Sequence, residues 1–207
     1  MAKKIIRRAD LPPGSPPSAI AKASGVEVMF RSNLGLGVRG CADPFLCAIY
    51  VAPMHYRPRV EWTIAHELAE REVREPLDDD QEHERYCQAI AAAVMMPEAA
   101  FVPSVRASNL SIPILARLWP HCSREAIATR MADLFPRTVV SAWQGSDAKF
   151  RRAHAGYRPP AELLDLEAFV AAEAAWYRKE SEVRAGDLVE RAWPARDGRA
   201  LSLCMAA

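Results

Sequence analysis

Residues 61 to 72 read EWTIAHELAERE, and their apolar spacing is that of a helix. At 100° per residue Trp62, Ile64, Ala65, Leu68 and Ala69, with Val73 just beyond, fall on one broad arc. Thr63, His66, Glu67 and Glu70 cluster on its flank. The pattern predicts a helix from about Glu61 to Glu75, stopped by Pro76. Residues four apart on a helix face the same way, so His66 and Glu70 can hold one ion while Glu67, beside them, reaches its bound water.

This string differs by one residue from H-E-x-x-H, where two histidines one turn apart bind zinc and the glutamate between them is a general base. Here a carboxylate, Glu70, stands at the second histidine position. A divalent metal brings the pKa of its water toward neutral, and a neighbouring carboxylate takes the proton as that water attacks a peptide carbonyl. Glu67 is placed to be that base. Two protein ligands make a weak site, so a third has to come from another element, and Glu84 is the best candidate. The segment ERYCQAIAAAVMMP, starting at Glu84, is apolar nearly all round and describes a buried helix ended by Pro97. Glu84 lies in angular line with Cys87, Gln88, Ala91 and Met95, and buried carboxylates are rare unless paired or metal-bound. The residues alone leave alternatives open. An H-E-x-x-E string among Arg71, Glu72 and Arg74 arises easily by chance, and Glu84 also suits a solvated first turn favoured by the helix dipole.

Half of the 207 residues are hydrophobic, enough for a sizeable core in one large domain or a domain with an appendage. Lysine and arginine number 27 against 26 acidic residues, and a net charge of +1 gives no general attraction to nucleic acid or anionic membrane. The N-terminal MAKKIIRRADLPPG carries positive charge without the apolar stretch of a signal peptide, and no segment approaches the length of a membrane span. A cytoplasmic protein without a membrane partner is expected. The five cysteines, 41, 47, 87, 122 and 204, form no C-x-x-C pair, so free buried thiols are expected rather than a disulfide framework or zinc ribbon.

Along the chain, a stiff proline-rich lead is followed by a short helix in PPSAIAKASG that ends at Gly25. VEVMFRSNLG and CADPFLCAIYVAP read as two or three strands ahead of the motif helix, and EPLDDDQEHE as an acidic loop that starts the next helix. Residues 110–136 hold two short amphipathic helices around a turn, with Ser123 as N-cap and Pro136 as stop, in outline a helix-turn-helix. Beyond them come a strand in RTVVSAW, an amphipathic helix in PAELLDLEAFVAAEAAWYRKE and a hairpin turning at Asp197-Gly198. The expected class is α+β, with a core over 1–136 and a C-terminal extension over 137–207.

Three blocks, RVEWTIAHELAE, ERYCQAIAAAVMMPEAAF and ILARLWPHCSREAIATRMADL, resemble in order, spacing and type those of the ImmA/IrrE family of metallo-endopeptidases. Thr63, Ala65, His66, Glu67 and Leu68 match the first block, and Glu84, Ala91, Met96 and Pro97 the second. Ser123 and Arg130 fall where the third expects them, so the resemblance covers roughly residues 18 to 135. It implies a small zincin-like α+β core in which His66 and Glu84 bind zinc, Glu67 is the base, and the substrate is a helix-turn-helix repressor. Ala69, Glu70, Gln88 and Ile90 depart from the family pattern, and of these only Glu70 touches the chemistry. A His-Glu-Glu shell carries two negative charges where the usual shell has one, which lowers Lewis acidity and brings Mn2+ or Fe2+ into range beside Zn2+. Reduced activity is the expectation, with a catalytically inactive, protein-binding regulator as the alternative.

Among other residues, His55 and His83 suit solvated loops better than metal binding, and His121 suits a capping or exposed role in the turn. Cys87 reads as a small apolar filler and Met95-Met96 as core. The basic run KFRRAHAGYR around His154, with Arg124 and Arg130, is the local candidate for phosphate contact. Direct nucleic-acid binding through it or through 110–136 is a weaker option.

Overall fold

The computed structural model describes residues 1–43, 45–73, 79–145, 147–159, 162–195 and 199–206. Contacts divide the chain into two compact units, Met1–Ser123 and Arg124–Ala207. Among the described residues the fold is α+β, with eight helices, a three-stranded mixed sheet and a five-stranded antiparallel sheet.

The first unit runs α1 (Ala2–Ala9), α2 (Pro17–Ala23), β1 (Glu27–Phe30), β2 (Gly40–Asp43), β3 (Ala48–Val51), α3 (Arg57–Glu72), α4 (Asp80–Met95), α5 (Glu98–Ala107) and α6 (Ile112–Leu118). Three strands precede the motif helix. β3 is central, parallel to β1 and antiparallel to β2, with Gly40 opposite Val51 and Asp43 opposite Ala48. Asp43 turns the chain into β3 by accepting the amides of Phe45 at 2.9 Å and Leu46 at 3.0 Å. Ile49 and Val51 of β3 then meet Ile64 and Leu68 of α3, and Ile90 and Val94 of α4 close the same core.

Two expectations change here, and one element is added to them. Ahead of the proline-rich lead the N-terminus forms a helix, because Ile5 and Ala9, four apart, make a stripe that the core buries. Lys4 and Arg8 of α1 each reach Glu72 of α3 at 2.6 Å. The motif helix starts at Arg57, one turn before Glu61, since Pro58 is well suited to a first turn that needs no amide donor. Its expected end near Glu75 and Pro76 lies outside the described residues. Finally, α4 is buried on one side only: Cys87, Ile90, Ala91, Val94 and Met95 point inward, while Arg85, Tyr86, Gln88 and Ala89 are exposed. Alanine is small enough to face water at little cost, so an alanine-rich run overstates burial. The acidic run does supply the N-cap, as Asp79 Oδ1 accepts the amides of Gln81 at 2.7 Å and Glu82 at 3.2 Å.

Deeper along the unit Phe101 meets Trp119 edge-on, with ring centroids 5.5 Å apart. Gly14, at φ +90°, leaves room for that indole, since a Cβ there would lie 2.8 Å from it. No single helix among the described residues is long and apolar enough to cross a membrane. α4 and α5 together pass that test of length and composition, but they are bent by 62° and bury Val94, Met95, Phe101 and Val105.

The second unit runs α7 (Arg124–Leu134), β4 (Thr138–Gln144), β5 (Asp147–Ala153), α8 (Glu162–Tyr177), β6 (Ser181–Ala185), β7 (Leu188–Pro194) and β8 (Arg199–Ala206). Its strands lie in the order β5-β4-β8-β7-β6, every pair antiparallel. Val170, Ala171 and Ala174 of α8 pack on Trp143, Ala192 and Ala200 of the sheet, so this part of the chain has a core of its own. β7 and β8 pair as the expected hairpin, whose turn at Asp197-Gly198 lies outside the described residues. The two helices read as one helix-turn-helix are α6, in the first unit, and α7, with which the second begins.

A polar cluster sits beneath α8. Glu167 of α8 accepts Ser141 Oγ at 2.6 Å and is bidentate to Arg151, at 2.9 Å and 3.2 Å. Beside it Glu190 of β7 is fully buried, and neither of its oxygens has a hydrogen-bond partner, although Ser202 and Cys204 of β8 face it.

Candidate functional site

α3 runs against α4, and at their contact the structure brings together the three side chains singled out as ligands. His66 Nε2 lies 3.3 Å from Glu70 Oε1, one helical turn on, and 3.4 Å from Glu84 Oε2 of α4. One donor atom from each lies within 4.8 Å of the others, so the three could share one metal ion. Gln88 holds the Glu84 carboxylate in place, donating from Nε2 to Oε1 at 2.7 Å across one turn of α4. Gln88, one of the departures from the pattern of the resemblance, thus fixes one carboxylate of the cluster.

Glu84 is half exposed, at 49%, and not on a buried stripe as expected. It lies in the second turn of α4 and reaches His66 from the exposed side of that helix. Glu70 is exposed to a similar degree, while His66 is mostly covered and its Nδ1 is buried without a hydrogen-bond partner.

Glu67 lies beside the triad, on the sheet side. It is 5% exposed and its Oε2 has no partner, with the Ala42 backbone of β2 as a hydrogen-bonding neighbour. Burial, and then the charge of Glu70, push its pKa up to about 7, with His66 opposing. The hydrogen bond to Glu70 raises the pKa of His66 against the effect of burial, and the charges of Glu84, Glu70 and Glu67 add to it. The same hydrogen bond holds Glu70 below the ordinary carboxylate range. The site thus combines three side chains that could hold one ion with a buried carboxyl whose pKa is raised toward neutral.

Two residues that matter here were not found by sequence reasoning. Gly40 of β2 lets the sheet approach α3, since a Cβ there would lie 2.5 Å from Thr63 Cγ2 and 2.6 Å from Glu67 Oε1. Gly40→Ala is expected to lower stability by about 2 kcal/mol, as forced overpacking does, read as a lower urea midpoint with an unchanged m-value. An unaltered midpoint would mean that β2 does not bear on the Glu67 carboxyl. Glu61, read only as the start of the helix, is buried and accepts the amide of Ser18 at 2.9 Å and its hydroxyl at 2.8 Å, which fixes α2 on α3. A carboxylate three positions past a helix-start proline is an ordinary sight in sequence, so only the distant partner Ser18 reveals its role.

Of the remaining candidates, His55 is exposed ahead of α3, and His83 is half-buried, with Nε2 3.7 Å from Cys87 Sγ. His121 is buried rather than exposed or capping: Nε2 lies 3.3 Å from the Met95 carbonyl and its ring packs near Trp119. A neutral ring fits that place, and burial lowers its pKa. All five cysteines are free, but Cys41 and Cys47 are exposed, in contrast to the expected burial. In the basic run Lys149, Arg151 and Arg152 pair with Asp147, Glu167 and Asp133.

No family model matches the chain, and no curated protein matches its sequence. Solved structures do match, among them that of a Mycobacterium tuberculosis transcriptional regulator. The fold resembles that regulator's. The TM-score is 0.68 at 14% identity, over 99% of this chain and 74% of that one, and at such identity the likeness concerns the fold alone.

Proposed function

We propose that the chain is a regulator of transcription or stress response that acts by binding another protein, on an ImmA/IrrE-like metallopeptidase frame that holds a divalent ion at His66, Glu70 and Glu84. The likeness in fold to the M. tuberculosis transcriptional regulator carries this reading, because it extends over 99% of the chain and so includes both units. Glu70 supports it. Two carboxylates and one imidazole suit a hard divalent ion that is held in place more than one that must act as a strong Lewis acid, so Mn2+ and Fe2+ stand beside Zn2+. Glu70 of α3 and Glu84 of α4 flank His66 with like charge, and a cation between them offsets their repulsion and ties the two helices together. The pairing of Lys149, Arg151 and Arg152 with carboxylates leaves that run little charge for phosphate, so the partner is taken to be a protein. Free cysteines fit a cytoplasmic setting.

One observation favours a second reading, a metallo-endopeptidase acting on a regulatory protein such as a helix-turn-helix repressor. Glu67 is buried beside the triad, has an oxygen without a partner and is poised near neutral, which are the properties of a general base. A bound ion supplies the Lewis acid that polarises a carbonyl or acidifies a water.

Metal analysis and a cleavage assay separate the two. The purified protein is expected to carry one ion per chain, to lose it in His66→Ala, and to leave casein and a helix-turn-helix repressor intact over hours. Glu67→Gln should keep the ion and every partner contact of the wild type. Metal-dependent cleavage that Glu67→Gln abolishes would replace the regulator reading with the peptidase one.

A further inference from the structure

α8 carries large apolar side chains on both sides, where the sequence pattern predicts an amphipathic helix. Leu163, Val170, Ala171 and Ala174 face the five-stranded sheet. The opposite side carries Leu164, Phe169, Ala172 and Trp176, of which Leu164, Phe169 and Trp176 are 42%, 57% and 82% exposed, and half-buried Ala168 and Ala175, which also touch the core, form its edge. Among the described residues Asp165 lies on that side and Glu173, which accepts the Ser181 hydroxyl at 2.7 Å, borders it beside Phe169 and Trp176. A helix that is apolar all round is stable in water only when both sides are covered, and a contiguous exposed apolar strip marks an interaction surface.

The order of residues on the strip points to what covers it. We infer that the outer face of α8 is a two-fold interface between two copies of this chain, with the two helices antiparallel about Ala172. On such an axis positions equally far from 172 in opposite directions meet. Trp176 then lies against Ala168 of the second copy, and Phe169 against its Ala175, so each large ring meets a methyl group and the Ala172 residues let the backbones close at the centre. The helix ends agree. Asp165 in the first turn meets Arg178 and Lys179, which follow the last turn of the other helix, whereas a parallel pair would set Asp165 against Asp165. An isologous contact of this kind closes on itself and forms a dimer, not a filament. The four rings of the pair supply on the order of 500 Å² of apolar area, the core of a standard interface.

Sedimentation velocity or light scattering on the full chain tests this at about 50 μM, a range in which ordinary homodimers are assembled. The expected mass is twice the 22.9 kDa of one chain. Ala172→Glu places two carboxylates on the axis and should weaken the dimer at least about tenfold with an unchanged far-ultraviolet circular dichroism spectrum, since the residue is exposed. Asp165→Lys and Lys179→Asp should each weaken it, and the two together should restore it. In a background with exposed Cys41 and Cys47 changed to Ser, Ala172→Cys should oxidise to a covalent dimer. A monomeric wild type, as expected if a different protein covers the strip, overturns the proposal, and so does a dimer that Ala172→Glu leaves intact.

Discussion

Glu190→Gln is expected to flatten the pH dependence of the second unit's stability and to raise that stability at pH 8 by on the order of 3 to 5 kcal/mol. Glu190 is fully buried on the sheet face beneath α8, and its oxygens have no hydrogen-bond partner. Burial pushes its pKa up to about 8 from an ordinary value of 4.5, and the like charge of Glu167 adds to the shift. Ser202 and Cys204 of β8 act in the other direction, and so does Arg151, whose guanidinium is already committed to Glu167. A carboxyl with a raised pKa keeps its proton in the folded state at pH values where the unfolded chain has lost it. Stability is therefore full below about pH 4.5, falls as pH rises toward 8, and is level above that. Gln keeps the shape and never ionises, so the decline should vanish. Urea unfolding followed through Trp143 and Trp193, which are buried in this unit, measures it. A wild type whose stability does not change between pH 5 and 8 would mean that water or a counter-charge reaches Glu190.

Manganese or zinc in about hundredfold excess over its dissociation constant should raise the midpoint of thermal unfolding by roughly 5 to 10 °C at pH 7.5. The figure follows from a linkage stabilisation of about 2.7 kcal/mol and the usual 2 to 4 °C per kcal/mol for a chain of this size. His66→Ala and Glu84→Ala should each abolish the rise, because two donors hold an ion weakly. Gln88→Ala should reduce it by about tenfold in affinity, the usual effect of removing a residue that orients a ligand. Protons compete for the site in a known direction. Glu70 raises the pKa of His66, and the imidazole must be neutral to bind a metal, so affinity should fall as pH drops through that raised pKa. Titration calorimetry at pH 5.5 and 7.5 reads the difference, and equal affinities at both would exclude the histidine as a ligand.

Much of the candidate site was legible in the sequence because it is local. His66, Glu67 and Glu70 share one flank of α3 by spacing alone, as do Glu84 and Gln88 on α4. Less legible was whether each carboxylate is buried. Glu84 was expected inside and is half exposed, while Glu61, read only as a helix start, is buried on Ser18. The helical period says which residues share a face, but whether that face is covered depends on chain far away.

The same division runs through the whole molecule. Helix phases, the acidic start of α4 and the presence of strands ahead of α3 follow from the sequence by itself, since each depends on backbone preferences and neighbours within a few residues. Tertiary structure alone decided that Glu84 meets His66 from an exposed position, that Gly40 presses β2 onto Glu67, that Glu190 is sealed beneath α8, and that the other side of α8 faces outward. These are contacts between residues 18 or more positions apart, or exposures set by them, and the free energy of desolvating a charge or covering an apolar face is fixed only when the distant surface arrives.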